Sequence, residues 1–150
     1  MGTNAEFFSR YKYRGGQPIE IQTGNYLEDL YDVVLGSNVA EKLNYTTGSP
    51  LIVSHGLKSF SDHDDQPFKV SGILVKTGTP IDNTVIVSLE AIEAIHVDWS
   101  SGAKIKGKET PVDQIRKMDL IPKNITAAFI GVDSKLQIFK LQRWINEYPE

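Results

Sequence analysis

The chain contains no cysteine. Disulfides, thiol nucleophiles and cysteine-ligated zinc are thereby excluded, and cytoplasm and periplasm stay equally open. No apolar run approaches the roughly 18 to 20 residues that a helix needs to span a bilayer. The opening stretch MGTNAEFFSRYKYR lacks the continuous apolar centre of a signal peptide. Positive charge is not in excess either: 16 Lys and Arg stand against 19 Asp and Glu, a net charge of -3. That balance argues against a dedicated nucleic-acid binder, which carries a basic surplus. It leaves local basic patches free to meet a membrane. Internal repeats and low-complexity tracts are absent as well.

What is present is ordinary for a globular domain: 150 residues, 40% hydrophobic and 23% charged. That length supports one domain with a real core, or one domain and a fragment of another. The small, polar start MGTNAE resembles an appended leader, and residues 1–23 are expected to be partly appended or flexible. The segment from Lys135 to Tyr148 still has a helical pattern where the chain stops, so an excised piece of a longer protein is expected.

Strand patterns come first. PIEIQTG (18–24) alternates apolar and polar residues, and YDVVLG (31–36) is β-branched and closes on a glycine. Ser37 is the expected N-cap of a following helix, with Val39, Ala40 and Leu43 on one face. LIVSHG (51–56) is an expected third strand, followed by the polar loop 57–67. FKVSGILV (68–75) is an expected strand in which Gly72 marks a bulge or a close approach. The turn KTGTPIDN (76–83) and the strand TVIV (84–87) complete what reads as a tight hairpin. Gly78 can take a positive φ there, and Pro80 fixes its own.

The hairpin hands its chain directly to a helix over 89–98. Ser88 is its expected cap, and Leu89, Ile92 and Ile95 its apolar stripe. Residues 100–110 form a basic, glycine-rich loop. Thr110, Pro111 and Asp113 are expected to start a short helix to about Met118. NITAAFIGV (124–132) predicts a further strand. Asp133 or Ser134 then caps a helix through Tyr148, with Leu141, Trp144, Ile145 and Tyr148 recurring at helical spacing. The predicted class is α+β: a mostly antiparallel or mixed β lobe with short packed helices, plus a C-terminal strand and helix of a second, partial lobe.

The chemistry-bearing residues form no specific motif. His55, Asp62, His63, Asp64, Asp65 and His96 could suggest a metal, but their spacing matches no standard ligand pattern. An acidic, solvated loop explains them better. GAKIKGK (102–108) has phosphate-loop spacing up to Lys108, yet Glu109 stands where Ser or Thr must reach magnesium, and no strand precedes it. Ser54, His55 and an acid could be arranged as a hydrolase triad, but no GxSxG elbow is present. Asn44 and Asn124 open N-x-T triplets that are frequent by chance. Phe7, Phe8, Tyr11 and Tyr13 interleave with Arg10, Lys12 and Arg14, a mix that can stack on bases or sit at a membrane interface. An edge segment awaiting a neighbour is the better reading. No catalytic, cofactor-binding or metal residue is assigned.

The ordered set GNYLEDLYDVVLGSNVAEKLNYTTGSPLIVSHG (24–56) and FKVSGILVKTGTPIDNTVIVSLEAIEAIH (68–96) resembles the extracytoplasmic core domain of MacB/FtsX-type bacterial ABC transporter permeases. ITAAFIGVDSKLQIFKLQRWINEY (125–148) continues the resemblance more weakly, and loop 100–110 falls outside it. The resemblance implies a two-lobed periplasmic domain inserted after the first of four membrane helices. Residues 24–123 would be the β-rich insert lobe, and 124–150 the strand and helix of a truncated membrane-proximal lobe. It further implies a separate ATPase subunit, a homodimer in the full transporter, and a periplasmic protein or lipoprotein as a further partner. Export or extraction of a lipoprotein, peptide or small hydrophobic molecule would then be driven by ATP hydrolysis across the bilayer, with no enzymatic activity, cofactor or nucleic acid on this chain. The alternative is a stand-alone small-ligand or metal-binding module centred on His55, Asp62, His63 and Asp64.

Overall fold

The computed structural model of the chain describes residues 1–52, 68–100, 103–105, 107 and 109–148. It is an α+β fold built on one mixed five-stranded sheet. In chain order the elements are β1 (Gly2–Thr3), α1 (Glu6–Arg10), β2 (Lys12–Tyr13), β3 (Gln17–Pro18), β4 (Ile21–Gly24), β5 (Asp32–Leu35) and α2 (Ser37–Leu43). Then follow β6 (Lys69–Leu74), a 3-10 turn (Pro80–Asn83), β7 (Val85–Ser88), α3 (Leu89–Ala94), β8 (Trp99–Ser100), β9 (Ala103–Lys104), α4 (Val112–Ile115) and α5 (Lys135–Asn146). The sheet order is β1-β7-β5-β6-β4, and β2-β3 and β8-β9 form two small ribbons.

The centre of the sheet is β5, whose sequence DVVL is buried at every position. A strand covered on both faces needs apolar residues of both parities, and β5 has them. Val33 and Leu35 face one core with Tyr31, Phe68, Ala91 and Ile115. Val34 faces the other, with Phe7, Phe8, Ile19, Leu74 and Ile86. On β6 the parity changes partway: Val33 sits opposite Val70, but Val34 sits opposite Gly72. The extra residue, Ser71, is a bulge, and its hydroxyl donates to the Val33 carbonyl at 3.2 Å. The bulge lets Val70 enter one core and Leu74 the other. Gly72 is also a close approach, because a Cβ there would collide with the Asn25 carbonyl.

The expected hairpin between 68–75 and 84–87 does not form. β6 and β7 lie on opposite sides of β5, parallel and antiparallel to it respectively. Residues 75–84 therefore form a bridge over the carboxyl end of β5 rather than a turn between neighbours. Gly36 lies directly beneath: a Cβ there would strike the backbone of Ile81 and Asp82. Its amide donates to the Thr84 carbonyl at 2.9 Å. Local turn chemistry is the same for a hairpin and for such a bridge, which is why the sequence pattern misreads it.

Other expectations shift by smaller amounts. Residues expected to be a leader extend the sheet: β1 pairs in parallel with β7, and the Met1 amine donates to the Val85 carbonyl at 2.6 Å. Phe7 and Phe8 are each only 6% exposed, so the aromatic segment is core rather than a waiting edge. The cap of α2 is Gly36, with Ser37 inside the helix and its hydroxyl buried without a partner among the described residues. Leu43 points outward, and the helix closes on Asn44 at φ 54°.

Ser88 does cap α3, accepting from the Ala91 amide at 2.9 Å, and the helix ends at Ala94, earlier than expected. Its buried residues are the small Ala91 and Ala94, continued by Ile95, while Leu89 and Ile92 are half-buried. Small side chains let a helix sit close on a sheet, so size overrides the stripe. Within the expected loop 100–110, β8 and β9 pair. Residues 124–132 form no strand, and Ile125, Phe129 and Ile130 are exposed. β-branched composition needs a ladder partner to become a strand, and none of the described strands pairs with this segment.

Candidate functional site

Among the described residues, no cluster of His, Asp or Glu side chains is placed as a metal centre. The two features that set this molecule apart from a plain sandwich of sheet and helix are the bridge over β5 and an exposed C-terminal arm. Each can be built from its residues.

The bridge is held from inside by one carboxylate. Asp82 is 2% exposed. It accepts from the Thr77 amide at 2.8 Å, the Thr77 hydroxyl at 2.7 Å and the Gly78 amide at 2.7 Å. Thr79 and Thr77 share a hydroxyl contact at 2.7 Å, and Thr79 caps the 3-10 turn by accepting from the Ile81 amide. Gly78 takes the positive φ of 71° that its sequence context predicts. Burial alone would push the Asp82 carboxyl up, but the Thr77 and Gly78 donors together hold it below the usual carboxylate value. The site is thus an ionised carboxylate satisfied by its own loop. It has the chemistry of a brace, accepting three hydrogen bonds from its own loop.

A second fastening ties the end of the packed region to the sheet. Ile115 of α4 is buried in the first core. The next residue, Arg116, donates to Asp29 through two bonds of 2.7 and 2.8 Å. Its guanidinium lies over the Tyr31 ring, 5.2 Å from the centroid. The Arg116 hydrogen bond holds the Asp29 carboxyl below its ordinary value, and Asp29 raises Arg116 in return. Asp98 adds a third tie, accepting from the Thr110 amide at 2.6 Å and the Thr110 hydroxyl at 2.7 Å. Thr110 is thereby engaged by Asp98, and Pro111 is the cap of α4.

Beyond Met118 the packing ends with Leu120, half-buried against the first core. No residue of α5 is buried, and Leu136, Ile138, Phe139, Trp144, Ile145 and Tyr148 are all at least half exposed. Ser134 precedes α5 without a side-chain cap bond, and the Gln137 side chain instead accepts from the Asp133 amide. The arm touches the body through Phe129, whose ring packs against Phe7 and Tyr11 at 5.7 and 6.2 Å.

The residues that the sequence offered for chemistry are not brought together. His55, Asp62, His63, Asp64 and Asp65 lie outside the described residues, as does Ser54. His96 sits after α3 with its Nδ1 2.6 Å from the Ile92 carbonyl and its ring edge-on to Trp99. Among the described residues no three His, Asp or Glu side chains are placed to hold a metal. The phosphate-loop spacing of 102–108 falls on the β8-β9 ribbon and on residues only partly described. An open, apolar cavity of about 280 Å³ is lined by Ala5, Phe8, Ser9, Tyr26 and Leu27, with no carboxylate, histidine or amine in its lining. No described helix is long and apolar enough to cross a membrane.

No family model matches the chain, and no curated protein or solved structure matches it. What the sequence reading missed is the bridge. Its one available signal is Gly36, a glycine set directly after the apolar run Val33–Leu35, where a close backbone crossing removes room for a side chain.

Proposed function

We propose that this chain is an extracytoplasmic, non-enzymatic domain of an ABC transporter permease. It passes ATP-driven motion of a membrane part to a substrate such as a lipoprotein, a peptide or a small hydrophobic molecule. The resemblance of residues 24–96 to the MacB/FtsX-type core domain is the starting point. The observation that carries the reading is mechanical. In this reading a sheet bridged over its central strand, with the bridge fastened by Asp82, resists internal shear and moves as one body. Packed bodies of this kind are what domain-level motion displaces. Their other requirement is a surface through which force arrives, and the exposed arm from 119 to 148 offers one.

In this reading the substrate meets the body, the arm faces the membrane side, and bond-making chemistry belongs to a separate ATPase subunit. The homodimer of such permeases would set two of these bodies side by side. The test is genetic and topological. The parent gene is expected to encode apolar membrane spans on both sides of this segment and to neighbour an ATPase gene. A reporter fused within the segment is expected to be active only outside the cytoplasm. A parent gene without spans, or a purified chain that turns over a substrate unaided, refutes the reading.

A further inference from the structure

Helix α5 (Lys135–Asn146) has 12 residues, and its turn continues to Tyr148. At about 100° per residue, Ile138, Leu141, Ile145 and Tyr148 fall on one stripe, with Trp144 at its border. Lys135 and Lys140 flank that stripe on its two sides, and Arg143 lies opposite, between Phe139 and Leu136. None of the three cations makes an ion pair among the described residues. Trp144 and Tyr148 pack edge to face with ring centroids 5.2 Å apart, yet are 62% and 64% exposed.

Charge is divided along the chain. From Lys135 to Tyr148 three cations face only Glu147, although the whole chain is net -3. Helix α5 is therefore basic, and the rest of the chain is acidic. We propose that α5 is a membrane-surface helix that lies along the headgroups of an anionic bilayer. Its stripe enters the acyl boundary, its lysines reach up to the phosphates, and the acidic body is held away from the surface.

The other coverings fit less well. Pairing α5 with the α5 of a second copy sets six helix cations together, relieved by only the two Glu147 side chains. Docking α5 on the body of a second copy needs an acidic apolar groove. The cavity at Phe8 and Tyr26 is apolar but has no acid in its lining, and it is too small for three helical turns. An anionic bilayer supplies both the charge and the apolar depth. The inference needs only such a bilayer, and it stands whether or not the transport reading does.

The test is cosedimentation of the full chain with vesicles. Binding is expected to phosphatidylcholine vesicles carrying about a third phosphatidylglycerol, not to phosphatidylcholine alone, and it is expected to fall as salt shortens the screening length. The triple variant K135Q/K140Q/R143Q is expected to bind on the order of a hundredfold more weakly, at roughly fivefold per cation. Ile145→Asp is expected to abolish binding with all cations intact. Both sets of substitutions are on exposed positions, and circular dichroism checks that the fold is retained. Absence of binding to the anionic vesicles overturns the proposal, as does equal binding by the triple variant. So does a dimer in light scattering that the same substitutions dissolve, because the covering partner is then a second copy.

Discussion

The body up to Ile115 and the arm beyond Met118 contain the same kinds of residue arranged to opposite ends. Val33, Val34, Leu35, Leu74 and Ile86 have no exposed surface at all. In the arm, Phe129, Leu136, Phe139 and Trp144 leave most of theirs in water. The difference lies in partners rather than in hydrophobicity. The inner strands β5, β6 and β7 have neighbours on both sides and β5 has a core on each face, whereas the arm meets the body through Leu120 and Phe129. Stability is local, and an element with few buried contacts opens independently of the core. The same chain thus combines a part suited to holding its shape with a part suited to binding something else.

The largest expected effect is at the crossing point. Gly36→Val forces a branched side chain into the backbone of Ile81 and Asp82. It should cost more than about 4 kcal/mol, the range reserved for severe steric and core defects, and a urea melt should show the loss as a collapsed midpoint. Ile86→Ala in the second core should cost roughly 2–5 kcal/mol. Ile145→Ala on the arm, the same chemical change, should stay within about 0.5 kcal/mol. Equal losses at the two isoleucines would erase the distinction between body and arm.

Asp82→Ala comes next. It strands the Thr77 and Gly78 amides and should cost about 1–3 kcal/mol. Because its folded value lies below the unfolded one, the Asp82 carboxylate contributes its stability in full above its ordinary value of 3.8. That contribution is lost as pH falls through the depressed folded value. Acid titration of the wild type should therefore show a stability loss below that point that Asp82→Ala lacks. The smallest effect belongs to Asp29 and Arg116, which are partly solvent-screened. A double-mutant cycle should return no more than about 1 kcal/mol and should shrink in high salt.

Much of the body was legible. The apolar run Val33–Leu35 between polar turns marks a central strand, Ser88 marks a helix start, and Gly78 marks a positive φ. These are local rules, and each depends on residues within a few positions. The failures were non-local. Whether β5 lies between β6 and β7 is decided by pairing across the sheet, and TGTP looks the same in either case. Ala91 and Ala94 were passed over for larger neighbours because a helical wheel ranks hydrophobicity and ignores the distance to a sheet. NITAAFIGV has strand composition but lacks a ladder. The arm's helix is legible from its period. The residues proposed for metal, His55 and His63 among them, lie outside the described residues. Calorimetric titration with zinc or nickel at micromolar levels addresses them, and no heat is expected.

The central claim is that the bridge makes the sheet a single stiff body from which the arm stands apart. Native-state hydrogen exchange tests it residue by residue. The amides of Thr77, Gly78 and Thr84 should exchange with the same opening free energy as those of β5, and all should lose protection together in Asp82→Ala. The amides of α5 should exchange far faster than either. A bridge that opens as readily as α5, while β5 stays closed, would contradict the account.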